Sequence, residues 1–189
     1  MHHAIKLLAR GTAIIGGLVL VGLIILTTLS IVGRSLNKML HSDGAESLLG
    51  GFAQTLLDLG IGEVNGSYEL LEAGVAFAIF SFFPICQLYG AHATVDIFTS
   101  KLPGRLHRAI VAFWEVVLTA ALLLISWRLY EGMQRYIGNG ETTLFLQFPV
   151  WWAYSASFAA SVVTCIVAVY CAVMRLGESL SGRVLLPTA

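Results

Sequence analysis

The sequence predicts an all-α membrane protein of four transmembrane helices, and three observations support that prediction. Hydrophobic residues make up 57% of the 189-residue chain and charged residues only 12%, and the mean hydropathy is +0.82. Soluble domains carry roughly 25% charged residues, and a soluble fold of this size leaves about a third of its surface in water. The apolar residues also gather into four runs of about 20, the length that spans a bilayer. Lipid is therefore the expected solvent.

The four runs define the predicted domain organisation. They cover residues 12–33, 70–89, 110–130 and 148–174, and each is long enough to cross the hydrocarbon as a helix. The first run is too long for the apolar part of a cleavable signal peptide, so we expect it to be retained. Residues 1–189 are predicted to form a single four-helix transmembrane domain.

The three connections between these spans differ in character. The first, residues 34–69, contains apolar residues at helical spacing, which predicts a helix lying on the membrane surface over residues 48–61. The second, residues 90–109, mixes basic groups with apolar residues spaced for a second interfacial amphipathic helix. The third, residues 131–147, is short and rich in Gly and Thr.

The distribution of Lys and Arg predicts the orientation of the chain. With a cytoplasmic N-terminus, seven of these residues lie on the cytoplasmic side and four outside. Because positive charge is enriched on the cytoplasmic side, an N-in/C-in arrangement is favoured. Residues 34–69 and 131–147 are then outer connections, and residues 90–109 are cytoplasmic.

Composition and spacing argue against several classes of function. The net charge is zero and the basic residues form no stripe, so nucleic acid is not an expected partner. The three cysteines show no CxxC or zinc-ligand spacing, and no histidine lies within a span to hold haem. The residues predict no catalytic, metal-binding, cofactor-binding or substrate-binding site, and the chain is not expected to be an enzyme.

A few residues near or within the spans are nevertheless candidates. Arg34, Glu72 and Arg128 are placed to form a charge cluster at the outer leaflet, and structural or interfacial pairing is favoured over contact with a transported species. Pro84 removes a backbone hydrogen bond and kinks a helix, which favours a packing role over a binding site.

The fourth span carries small residues at successive i+4 positions, which are Ala153, Ser157 and Ser161. Small residues on one stripe let helix backbones approach closely, and close approach is a principal source of helix association in lipid. The stripe predicts a helix partner, either within this chain or in another subunit.

Three stretches of the sequence also carry a resemblance to a known family. They are Arg34 with Gly66-x-x-Glu69-x-x-Glu72, Gly90-x-His92-x-x-Val95-Asp96, and a Thr-x-x-Leu-x-x-Pro149-x-Trp151 pattern at the start of the fourth span. In order and spacing they resemble the small membrane subunit (Q-type, DctQ-like) of tripartite ATP-independent periplasmic (TRAP) transporters.

The resemblance implies a non-catalytic small permease subunit of a sodium-coupled transporter in the bacterial inner membrane. Such systems import organic acids, among them C4-dicarboxylates, sialic acid and similar carboxylates. The small subunit would contact membrane lipids, scaffold the large membrane subunit as a heterodimer, and work with a periplasmic solute-binding protein. Substrate and sodium sites would lie in the large subunit, so no cofactor is expected here.

The cytoplasmic signature has two expected site residues, His92 and Asp96, which we expect to organise the turn. Asp96 would cap a surface helix or pair with Arg105 or Arg108, with a solvated turn as the alternative.

The residues also permit a second function, an independent four-helix channel or carrier. It would act as a homo-oligomer around a pore lined by Glu72, Ser81 and Thr119.

Overall fold

The computed structural model describes residues 2–41, 64–91 and 104–181, without the side chain of Arg105. These residues form four long helices, each apolar and long enough to cross a membrane. We number them α1 (His2–Leu40), α2 (Ser67–Tyr89), α3 (Gly104–Asn139) and α4 (Val150–Ser181). The predicted all-α membrane fold is confirmed. The surface helix predicted over 48–61 and most of the second interfacial segment lie outside the described residues.

The helices are longer than the spans deduced from hydropathy. α1 continues to Leu40, α3 runs from Gly104 to Asn139, and α4 extends to Ser181. The connection expected over residues 131–147 is therefore helical in its first nine residues. Hydropathy marks only the part of a helix that suits hydrocarbon, whereas the backbone hydrogen bonds of a helix continue equally well where polar side chains meet headgroups or water.

The bundle consists of two antiparallel helix pairs joined through its centre. α1 packs mainly against α2, α3 packs against α4, and α2 and α4 pack against each other. The apolar stretch of α4 is 44% buried, against 17% for those of α1 and α2. α4 is therefore the central helix, whereas α1 and α3 present most of their apolar side chains outward.

The contact between α1 and α2 follows a seven-residue repeat. From Ala9 to Ser30, every seventh residue of α1 is buried against α2. The residues that they meet on α2 are also seven apart, and they run in the opposite direction because the helices are antiparallel. The pairs are Ala9 with Leu88, Gly16 with Ser81, Leu23 with Gly74, and Ser30 with Ser67. A seven-residue repeat is the spacing of left-handed coiled-coil packing.

Small residues make this contact close. A Cβ atom added to Gly16 would lie 2.5 Å from Cβ of Ser81, and one added to Gly74 would lie 2.7 Å from Leu23 Cδ1. At the end of the interface the hydroxyls of Ser30 and Ser67 are 3.2 Å apart. Such packing replaces the hydrophobic driving force that helices lose in lipid.

The interface of α3 and α4 is held by side-chain hydrogen bonds. The hydroxyls of Ser126 and Ser161 are 2.9 Å apart, and Thr119 Oγ1 donates to the Ala168 carbonyl at 3.3 Å. Ser157 and Ser161 are both buried. At Ser161 the small-residue stripe of α4 thus meets α3 of this chain, whereas Ala153 and Ser157 line a cleft.

Pro84 lies inside α2 and is almost fully buried. Because proline has no N–H, the carbonyl of Phe80 four residues earlier loses its helical donor. Thr164 Oγ1 on α4 lies 2.8 Å from that carbonyl and 3.0 Å from the Ala160 carbonyl of its own helix. In hydrocarbon no water can replace a missing donor, so Thr164 compensates for the proline and joins α2 to α4.

We expect Thr164→Val to destabilise the bundle by about 1 kcal/mol, because valine keeps the shape of threonine but cannot donate to Phe80. The measurement is thermal unfolding of the purified chain in detergent. Thr164→Val is also made together with Pro84→Ala. Alanine supplies an N–H for the Phe80 carbonyl, so loss of the Thr164 hydroxyl should cost less stability there. An equal loss of stability in both backgrounds would contradict this role.

Candidate functional site

The segment between α3 and α4, residues 140–149, forms a compact loop. Thr142 and Pro149 form an isolated bridge, the Thr143 N–H donates to the Phe148 carbonyl at 2.9 Å, and the Val150 N–H donates to the Glu141 carbonyl at 3.0 Å. Gln147 adopts a positive φ of 56°, and its amide donates to the Leu144 carbonyl. The loop is thus closed by its own hydrogen bonds, with Pro149 in the last position before α4.

Glu69, in the first turn of α2, fastens this loop to the bundle. Its two carboxylate oxygens accept hydrogen bonds from the backbone N–H groups of Phe145 at 2.7 Å and Leu146 at 3.0 Å. A carboxylate that accepts two N–H groups is a strong, directional acceptor. We call this arrangement the Glu69 clamp. It joins two motifs that are more than 70 residues apart in sequence.

Gly66 completes the clamp by making room for the loop. It has a positive φ of 78°, and a Cβ atom there would collide with the side chain of Leu146. A left-handed conformation with a close neighbour is a position that glycine alone fills without strain. Gly66 and Glu69 of the first motif therefore hold one residue of the third, Leu146.

A cleft of about 440 Å³ opens beside the clamp. It lies between α2 and α3, has α4 as its floor, and is closed at one end by the 140–149 loop. Its lining is mostly apolar, with small residues from α2 and α4 and carboxylates from α2. The lining residues are Glu69, Glu72, Ala73, Ala76, Leu129, Thr143, Phe148, Val150, Ala153, Tyr154 and Ser157.

The remaining charged candidates lie on separate helices. Arg34 of α1 donates to the Tyr68 hydroxyl at 3.3 Å, whereas Arg128 of α3 forms an ion pair of 2.7 Å with Glu131 on its own helix. Glu72 lies at the cleft. Arg128, the α3 member of the predicted outer cluster, is therefore paired with a neighbour on its own helix.

The aromatic residues at the start of α4 lie where membrane anchors are expected. Trp151 is half-buried and stacks edge-on against Trp152, which is exposed. Ala153 and Ser157 follow on the side of the helix that floors the cleft. Amphipathic indole rings favour the headgroup level, so Trp151 and Trp152 mark where α4 is expected to meet the headgroups.

The opposite end of the bundle has a second polar group of residues. Gln87 donates to the Glu115 carboxylate, which links α2 to α3. On α4, Arg175 and Glu178 form an ion pair of 3.0 Å, with only 8% and 6% of their side chains exposed. A buried pair of this kind is costly to break, because removal of one partner leaves an uncompensated charge.

Gly90, the first residue of the second motif, ends α2 in a left-handed conformation with a φ of 62°. The Gly90 N–H donates to the Gln87 carbonyl and the Ala91 N–H to the Cys86 carbonyl, which is a Schellman C-cap. The motif glycine therefore terminates the helix. His92 and Asp96, expected to organise the turn that follows, lie outside the described residues.

Possible metal ligands and thiols are scattered in the part of the chain that the structure describes. It contains no group of three His, Cys, Asp or Glu side chains that could hold a metal ion. All three cysteines are free thiols, with Cys171 buried and Cys86 and Cys165 half-buried. Their positions agree with their interpretation as small apolar side chains.

Sequence reasoning missed three structural features. The seven-residue repeat of α1 is hidden because nearly every residue around it is apolar. Arg175 and Glu178 follow the predicted end of the fourth span, so their i,i+3 spacing resembles a solvated surface pair. The bond from Thr164 to the Phe80 carbonyl requires knowledge of which helix packs beside Pro84, and the sequence contains no signal for that.

We expect Glu69→Gln to loosen the 140–149 loop, because a glutamine side chain has one carbonyl oxygen where the carboxylate has two acceptors. Hydrogen exchange at the Phe145 and Leu146 amides should become severalfold faster, while exchange in the middle of α4 stays unchanged. Glu141→Gln is the control, since that exposed side chain lies in the same loop but outside the clamp. Unchanged exchange in Glu69→Gln would argue against the clamp.

Comparison with known proteins agrees with this geometry. A family profile described as tripartite ATP-independent periplasmic transporters, DctQ component, matches residues 23–177, which include the Glu69 clamp, the cleft and the Gly90 cap. No curated protein and no solved structure matches the chain significantly. Because the match covers most of the sequence and both joined motifs, the chain belongs to the DctQ family, the small permease component of TRAP transporters.

Proposed function

We propose that this chain is the scaffolding subunit of a sodium-coupled importer of organic acids. It forms a heterodimer with the large permease subunit, and a periplasmic solute-binding protein delivers the solute. The supporting observation is the closed interior of the bundle. Small residues and hydroxyl pairs bring α1 against α2 and α3 against α4, and the cleft reaches only part of the way along α4.

The chemistry of the cleft supports a bracing role over a transport role for this subunit. An organic acid is an anion, whereas the cleft carries the carboxylates of Glu69 and Glu72. Glu69 is already engaged by two backbone N–H groups. Repulsion between like charges opposes a carboxylate solute there, which supports a solute site in the large subunit. The sodium sites are placed there as well because the family resemblance implies it, and we propose no cofactor and no reaction for this chain.

Outward apolar faces supply the surface for such a partner. Exposed large apolar side chains run along the outer faces of α1 and α3, for example Leu18 and Leu29 on α1 and Phe113 and Leu124 on α3. In a membrane these faces meet either lipid or another helix. A four-helix unit that is already closed inside can pack against a moving neighbour without rearranging.

The orientation follows from the charges at the two ends of the bundle. Lys6 and Arg10 lie near Tyr89 at the end where α2 terminates, and Arg175 is at the same end on α4. The positive-inside rule assigns that end to the cytoplasm of a bacterium and the 140–149 loop to the periplasm. The chain is then a multi-pass protein of the inner membrane, with both termini inside.

An independent channel receives less support. Ser81 is buried against Gly16 between α1 and α2, and Thr119 is bonded to Ala168 between α3 and α4. Glu72 lies at the cleft. The three residues expected to line a pore therefore occupy three different places in the bundle.

We expect the tagged chain to co-purify with the large permease subunit of its transporter in a stable one-to-one complex. In proteoliposomes with an inward sodium gradient, the binding protein and radiolabelled succinate, the lone chain should give no uptake. Omission of this chain should lower the thermal stability of the large subunit. A large subunit that is equally stable and active alone would contradict the scaffold role, as would uptake by the lone chain.

We expect a cysteine placed at Glu141 to react with a membrane-impermeant maleimide in intact spheroplasts, because the 140–149 loop faces the periplasm. The native cysteines, which all lie within the apolar helices, should stay unlabelled until the membrane is dissolved, and His3→Cys at the opposite end serves as the control that labels only after lysis. The reverse labelling pattern would overturn the N-in/C-in orientation.

A further inference from the structure

The cleft beside the Glu69 clamp is built like a site for a ligand that is apolar at one end. Its floor on α4 runs from Val150 to Ser157, about 10 Å at the helical rise of roughly 1.5 Å per residue. The deep part is lined by Ala73, Ala76 and Leu129, which leave space because two of them are small. The carboxylates of Glu69 and Glu72 and the hydroxyl of Thr143 lie nearer the 140–149 loop, whereas Ser157 is a polar residue of the deep part.

The level of the cleft in a membrane follows from contacts already described. Thr164 of α4 meets Phe80 of α2, and these two helices run in the same direction, so Glu72 is level with Ala156. Glu72 is then five residues, or about 8 Å, deeper than Trp151. Since indole rings mark the headgroups, Glu72 lies near the boundary between headgroups and acyl chains.

Glu72 has no ion-pair partner among the described residues. Its side chain is exposed at the rim of the cleft, where a free carboxylate at the edge of the hydrocarbon is costly. Its neighbour Glu69 is engaged by the loop, so the clamp does not neutralise Glu72. A cationic group that reaches this depth would remove the cost.

A positive charge lies near the same rim. Gly132 and Tyr136 of α3 pack against the Tyr154 ring, which lines the cleft, so Arg135, one residue before Tyr136, lies on the adjoining part of α3 outside the cleft lining. The ring of Tyr136 stacks on Tyr154 with centroids 4.8 Å apart, which holds this part of the rim in place. The cleft therefore has carboxylates and a phenol hydroxyl in its lining, with a guanidinium nearby on α3.

We propose that this cleft binds one phospholipid of the outer leaflet whose headgroup carries a primary ammonium, such as phosphatidylethanolamine. The ammonium pairs with Glu72, the phosphate meets Arg135, and the first part of an acyl chain occupies the cavity floored by Ala153 and Ser157. Guanidinium groups are well suited to phosphate, and lipid selection by charged pockets between helices is an established type of recognition.

Charge complementarity distinguishes this lipid from other membrane components. A phosphatidylglycerol headgroup has no cation for Glu72 and adds negative charge beside it. A choline headgroup has a cation without N–H groups, so it cannot donate hydrogen bonds to the carboxylate. A basic side chain of another protein that paired with Glu72 would leave the apolar cavity unfilled.

Lipid binding is tested by native mass spectrometry of the full chain, purified alone and with its large subunit, and titrated with dioleoyl phosphatidylethanolamine, phosphatidylcholine or phosphatidylglycerol. We expect the first phosphatidylethanolamine to bind at least tenfold more tightly than the first molecule of either other lipid, in both preparations. Glu72→Gln should abolish that preference. Glu141→Gln, a nearby exposed carboxylate outside the cleft, should keep it.

Ala73→Phe provides a second variant, which fills the cleft without changing its charge and should weaken binding of the first phosphatidylethanolamine at least tenfold. Thermal unfolding of each variant identifies any loss of fold, and the exposed Glu72→Gln substitution decides the outcome if Ala73→Phe does not fold.

Equal binding of the three lipids by the native chain would overturn the proposal, as would a preference that survives Glu72→Gln. Loss of the lipid in the complex would assign Glu72 to a protein partner and also overturn it. Co-purification with the large subunit, scored separately, tests the scaffold role.

Discussion

Hydrocarbon supplies no hydrogen-bond partner, so each polar group inside a membrane bundle has to find one within the protein. In this chain the requirement explains side-chain hydrogen bonds at three of the interfaces between its helices. Hydroxyl pairs join α1 to α2 and α3 to α4, and Thr164 supplies the donor that Pro84 removes from α2. The same small side chains allow close packing, which is a main source of helix association in lipid. The same small residues thus supply hydrogen-bond partners for buried polar groups and allow the helices to pack closely.

The Glu69 clamp extends this logic to the end of the bundle. The 140–149 loop carries exposed apolar residues, Leu144 and Phe145, and its internal hydrogen bonds do not by themselves attach it to the other helices. Glu69 binds two of its N–H groups, and Gly66 leaves space for Leu146. The start of α2 is therefore joined to the loop that leads into α4, and the cleft lies beside this junction. This arrangement is compatible with the scaffold role proposed above.

The family motifs acquire physical meanings that their spacing alone did not contain. Gly66 and Gly90 occupy left-handed positions at the two ends of α2, Glu69 is an acceptor for a distant loop, and Glu72 is the free carboxylate beside it. The resemblance identified these residues as important, but a motif pattern cannot say which of two glutamates three residues apart is engaged. The choice depends on the loop, which reaches Glu69 and leaves Glu72 facing the cleft.

The sequence by itself determined the four spans, the membrane solvent and the family, because each helix satisfies its own backbone and hydropathy therefore reports it locally. Helix ends beyond the hydrocarbon, as at Leu40 and Asn139, escaped that analysis since polar residues continue a helix without an apolar signal. Tertiary structure alone decided the pairing of helices and the position of Glu72 at the cleft. In lipid almost every residue of a span is apolar, so composition does not distinguish a face that packs against a helix from one that faces acyl chains. Only the fit of particular small residues, such as Gly16 against Ser81, selects the partner.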